Sequence, residues 1–100
     1  MQAFVKEDDV DRISFGDDWV DIRRHVSYGE VEDLPEGDAL AMSEGKTSVP
    51  LLMMCIVSWS FKFNESDEEP LPVTVENLRK LKLEVAARIV KDVEKRIPLG

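Results

Sequence analysis

The run Val-Pro-Leu-Leu-Met-Met-Cys-Ile-Val, residues 49–57, carries no charge and so constrains the fold more than any other stretch. It is far shorter than the ~20 apolar residues that a membrane-spanning helix needs, so it must be covered by the chain itself or by a partner. Pro50 suits the first turn of a helix, with Thr47 or Ser48 as cap, and this reading predicts a central buried helix over Leu51–Trp59. A strand is the competing reading, because the apolar residues alternate from Val57 through Trp59 and Phe61 to Phe63.

The remaining elements follow from shorter signals. "RISF" and "DWVDIRRH" flank a Gly16-Asp17 turn signal and predict a β-hairpin. Ser27-Tyr28-Gly29-Glu30 matches the Ser-x-x-Glu capping box and predicts a short helix. Pro35, Gly37 and Gly45 mark a loop over 35–47, with a helical turn expected at Ala39 to Met42. After the acidic connector "NESDEEP", Thr74 is placed to cap another short helix. The last segment sets Val85, Ile89, Val93 and Ile97 in one row of an amphipathic helix. The fold class predicted is therefore α+β: an N-terminal β-hairpin followed by three or four helices, mostly helical.

A chain of 100 residues accommodates one core, and 43% hydrophobic residues suffice to build it despite 34% charged ones. Residues 1–13 read as an acidic leader and 14–98 as a single small domain. The net charge of −8 is polarised, with 17 acidic and 6 basic residues over 1–69 and 4 acidic and 7 basic over 70–100. Such a surface repels phosphate backbones, and the basic helix lacks interleaved aromatics, so no nucleic-acid partner is expected. The opening residues lack the pattern of a signal peptide, and no membrane partner is expected.

Catalytic chemistry finds few residues. His25 is the only histidine and reads as a polar residue at the end of a strand, and Cys55 is the only cysteine and sits where a small core residue belongs. One lone cysteine gives no disulfide framework and suits a reducing compartment. Asp8-Asp9, Asp17-Asp18 and Asp67-Glu68-Glu69 lack the apolar setting that would hold one carboxyl of a pair protonated, and they read as solvated charge. No EF-hand loop or phosphate-cradling glycine run is present. The chain is accordingly expected to be no enzyme and to use no metal or cofactor.

Binding is the alternative. Trp19 and Trp59 are large apolar groups of the type enriched at interface hot spots, and Met53 is a flexible, polarizable side chain suited to varied apolar partners. With Tyr28 they form the set of partner-binding candidates: Trp19, Tyr28, Met53 and Trp59. A homo-oligomer is also compatible with so small a chain.

Three segments, "GDDWVDIRRHVSYGE", "LLMMCIVSWSF" and "PLPVTVENLRKLKLEVAARIVKDV", together resemble the small tail assembly chaperones of long-tailed bacteriophages. In that family a Trp-Val-x-Ile-Arg strand leads into a short helix that starts with Ser or Thr and carries a Glu, as Trp19–Arg23 and Ser27–Glu30 do here. A helix ending near "SWS", a polar loop and a segment like Leu71–Leu78 precede the final helix. The resemblance spans roughly residues 14 to 95. It departs at the acidic leader and at the glycine-rich 35–48 loop, where relatives often continue a helix.

The resemblance implies a non-catalytic assembly factor in the cytoplasm of a bacterial host. Its partners would be the tape measure protein, which it keeps soluble, and tail tube subunits that polymerise around that protein. The chain resembles the short form of a pair whose long form arises by frameshifting. The alternative expectation is a structural virion component, either a head-to-tail connector or a tail subunit, and a third is an acidic regulator of a basic host protein.

Overall fold

Alternation of apolar and polar residues on either side of Gly16-Asp17 gives two strands, β1 (Val10–Phe15) and β2 (Asp18–Arg23), paired antiparallel from Val10↔Arg23 to Phe15↔Asp18. This is a computed structural model, and it describes residues 3–6, 9–34 and 49–96. The hairpin is closed by a two-residue loop in which Gly16 has φ +64° and Asp17 has negative φ. That pattern belongs to a type II′ turn, whose twist matches that of the strands and whose first central position favours glycine. Ile13, Val20 and Ile22 point inward, while Arg12, Trp19 and Asp21 lie on the outer face.

The first strand begins at Val10, inside the segment read as a leader, so the 1–13 boundary is corrected: Val10–Ile13 belong to the sheet. Asp11 holds this strand to the far end of the chain. It accepts from Arg24 Nε at 2.6 Å and from Arg96 Nε at 2.7 Å, and both guanidinium groups keep its carboxyl below the usual range, Arg96 most of all.

Helix α1 (Tyr28–Glu32) forms where the capping box was read. Ser27 Oγ accepts from the Glu30 amide at 3.2 Å, and the Glu30 carboxylate accepts from the Ser27 amide at 3.2 Å. The expected loop with its turn at Ala39 to Met42, and the caps at Thr47 or Ser48, lie outside the described residues.

Helix α2 (Val49–Cys55) buries Leu51, Leu52 and Cys55, with Pro50 in its first turn. The helix predicted to run to Trp59 stops at Cys55. Ile56–Trp59 is a third strand, β3, paired antiparallel with β2 through Val20↔Trp59, Asp21↔Ser58 and Ile22↔Ile56. The offset leaves Val57 without a place in this register, and its side chain is exposed. Two β-branched residues followed by alternation suit the pleated edge that β2 presents, and the non-local pairing decides between two locally comparable readings.

Beyond the connector, Thr74 Oγ1 accepts from the Asn77 amide at 3.1 Å and caps α3 (Val75–Arg79). The final helix, α4 (Leu83–Arg96), buries Ile89 and Val93, while Ile97 of the predicted row lies outside the described residues. The core joins Ile13, Val20 and Ile22 of the hairpin to Leu51, Leu52, Cys55, Ile56 and Trp59, and to Leu78, Ile89 and Val93. The architecture is α+β, a three-stranded antiparallel sheet in the order β1-β2-β3 with four helices among the described residues. The expectation of a mostly helical chain is not confirmed, because the apolar run divides between helix and strand. No helix among the described residues is long and apolar enough to cross a membrane.

Candidate interaction surface

Cys55 is fully buried, and burial pushes its thiol up to about 12, so it carries no nucleophilic thiolate near neutral pH. His25 is largely exposed, with Nε2 3.8 Å from Asp9 Oδ2. No group of three or more His, Cys, Asp and Glu side chains is gathered for a metal among the described residues.

The four partner-binding candidates occupy different surroundings. Trp19 is half-buried on the outer face of the sheet, with the Arg12 guanidinium 3.8 Å from its ring centroid. Arg12 is itself held there by Asp21, at 2.8 and 3.1 Å. Tyr28 opens α1 and is 80% exposed. Met53 is half-buried against the core. Trp59 is 3% exposed, and its indole N–H donates to the Leu71 carbonyl at 2.7 Å. The sheet therefore separates the two tryptophans, Trp59 on its inner face and Trp19 on its outer face.

An apolar groove of about 360 Å³ lies where the chain leaves β3 and meets the corner between α3 and α4. Its apolar lining comprises Trp59, Phe61, Phe63, Leu71, Leu81 and Val85. Two hydrogen bonds fix the connector in place to make it: the Leu71 amide donates to the Phe61 carbonyl at 2.8 Å, and Trp59 donates to the Leu71 carbonyl. Phe61 packs against Trp59 and Phe15 with ring centroids 5.6 and 5.7 Å apart. Phe63 is 71% exposed, and Leu83, next to the rim residue Lys82, is 85% exposed.

Lys62, Lys80 and Lys82 also line this groove, together with Asn77. Lys80 reaches Glu76 Oε1 at 3.2 Å, while the ammonium groups of Lys62 and Lys82 form no ion pair among the described residues. A larger cleft of about 420 Å³ is lined by Val5, Arg23, Ser27 and Glu30, but its polar groups satisfy one another. Arg23 engages both carboxylate oxygens of Glu30, which also accepts from Ser27 Oγ at 2.9 Å.

Phe61, Phe63, Leu71, Leu81 and the three lysines were not among the partner-binding candidates taken from the sequence. The alternation of "SWSFKF" places Trp59, Phe61 and Phe63 on one side, and that was the available signal. No protein-family model, curated protein or solved structure matches this chain.

Proposed function

We propose that this protein is a non-catalytic assembly chaperone of the kind found in long-tailed bacteriophages, acting in the host cytoplasm to keep a tape measure protein soluble. The observation that carries this reading is the open apolar groove on a strongly acidic chain. The groove, with exposed Phe63 in its lining, offers apolar surface that a client could cover, and the net charge of −8 disfavours aggregation of whatever complex forms. The resemblance of three segments to tail assembly chaperones supplies the identity of the client. Phe61, Phe63 and Leu81 would cover apolar residues of the client until tail tube subunits replace the chaperone.

The test is co-expression with the tape measure protein encoded alongside, affinity capture of the complex, and analysis of purified particles. A soluble complex together with depletion from particles is the expected result. Absence of a complex with stoichiometric protein in particles would instead make the chain a structural component, a connector or tail subunit.

A further inference from the structure

We propose that the free edge of β1 docks a second copy of this chain, the two β1 strands pairing antiparallel about a two-fold axis. The pairing does not depend on what the groove holds. The Arg24 amide donates to the Asp9 carbonyl at 3.0 Å, and Phe15 pairs with Asp18 across the two-residue loop. The backbone groups of Asp9, Asp11, Ile13 and Phe15 therefore face β2, and those of Val10, Arg12 and Ser14 point away from it. The outward groups meet no hydrogen-bond partner among the described residues. A row of unpaired donors and acceptors on extended backbone is complemented by another strand.

The two edges of the sheet differ. Strand β3 has four residues, an irregular register beside Asp21 and Ile22, and a connector that returns to it, with the Leu71 amide donating to the Phe61 carbonyl at 2.8 Å. Strand β1 has six residues in unbroken register and contains neither proline nor lysine. Its charged residues would ordinarily guard such an edge, but each is already matched within the chain. Arg12 meets Asp21 at 2.8 Å, and Asp11 meets Arg24 at 2.6 Å and Arg96 at 2.7 Å.

A second copy fits this edge because β1 complements itself in one register. Two-fold pairing about Arg12 sets two guanidinium groups opposite each other, and pairing about Asp11 sets two carboxylates opposite each other. Pairing about Ile13 avoids both, since it sets Arg12 against Ser14 of the other copy. The outward amides of Arg12 and Ser14 then donate to the Ser14 and Arg12 carbonyls of the other copy. Asp11 comes opposite Phe15 of the other copy, over whose ring Arg88 holds its guanidinium at 4.7 Å, so no carboxylate faces a carboxylate. Because the same edge of both copies is used, association closes at a dimer.

Sedimentation equilibrium of the native chain and of Ser14→Pro tests the assignment. Between about 10 μM and 1 mM the native mass should rise from 11.4 kDa toward twice that value. The Arg12 and Ser14 amides should exchange about tenfold more slowly once the dimer forms. Ser14 is exposed and its amide bonds nothing within the chain, so Ser14→Pro should keep its urea midpoint and stay monomeric. Should proline lower that midpoint, Ser14→Lys keeps the backbone intact and sets an ammonium group opposite Arg12 of the other copy, with the same expected loss of the dimer. Each copy carries a net charge of −8, so added salt should tighten the dimer severalfold by screening that repulsion. A mass fixed at 11.4 kDa through about 1 mM, masses beyond two copies, or a dimer that loosens with salt would each overturn the proposal. So would a dimer whose Arg12 and Ser14 amides exchange as in the monomer, or one lost with Phe63→Asp but kept with Ser14→Pro.

Discussion

Replacing Glu30 by glutamine should weaken the fold in a manner that depends on pH. Glu30 joins the hairpin to α1: its carboxylate receives two hydrogen bonds from Arg23 and two from Ser27, one from the backbone amide and one from the hydroxyl. Arg23, chiefly, lowers its pKa from 4.5 to about 2. A depression of that size would correspond to roughly 3 kcal/mol if no solvent reached the pair. The Glu30 side chain is 32% exposed, and screening reduces the contribution to about 1–2 kcal/mol.

Because the folded state holds the lower pKa, the contribution is complete above the ordinary value of 4.5 and is lost as pH falls toward about 2. Glutamine keeps a carbonyl oxygen for the two Ser27 donors but sets its amide NH2 against Arg23 Nη1, so the substitution removes the charge and one of the two Arg23 hydrogen bonds. Urea unfolding followed by circular dichroism should show the variant about 1–2 kcal/mol less stable near pH 7, with the gap closing as pH falls. Asp11 and Asp21, also lowered by arginine partners, titrate in both proteins and cancel in the difference. A gap that stays constant across this range would refute the electrostatic argument, and no gap at neutral pH would show that the pair contributes nothing net.

Trp59→Phe removes the donor to the Leu71 carbonyl and should cost about 1–3 kcal/mol in urea unfolding, with loosening of the 61–71 connector visible as faster amide exchange. Gly16→Val places a β-branched side chain at φ +64° and should cost roughly 1–2 kcal/mol, read as a lower thermal midpoint. Cys55 should resist aromatic disulfide reagents in the folded protein and react only once denaturant exposes it, since burial pushes its thiol up to about 12. Fast labelling of the native state would contradict its place in the core.

The parts of this fold that could be read from sequence are those set within a few residues. The Gly16-Asp17 turn, the Ser27–Glu30 capping box, the Thr74 cap and the row through Val85, Ile89 and Val93 each depend on local spacing, and each forms. The change from helix to strand at Cys55–Ile56 does not. An uninterrupted apolar run masks its own period, and what stops the helix is the edge of β2, supplied by residues more than thirty positions earlier. The groove was hidden for the same reason. Trp59, Phe61 and Phe63 alternate visibly, but Leu81 and Val85, about twenty positions on, join the same groove through tertiary packing against the core. Trp59, read from the sequence both as part of the buried segment and as an interface candidate, is a core residue that also borders the groove.

The most direct measurement of the central claim is the soluble fraction of the tape measure protein when it is expressed alone, with the native chain, and with Phe63→Asp. Phe63 is exposed, so the substitution should leave stability within ~0.5 kcal/mol of the native protein while placing a charge in the groove. The account predicts that the native chain brings the tape measure protein into solution and that Phe63→Asp, still folded, does not. Equal solubility in all three cases, or equal rescue by both forms of the chain, would contradict it.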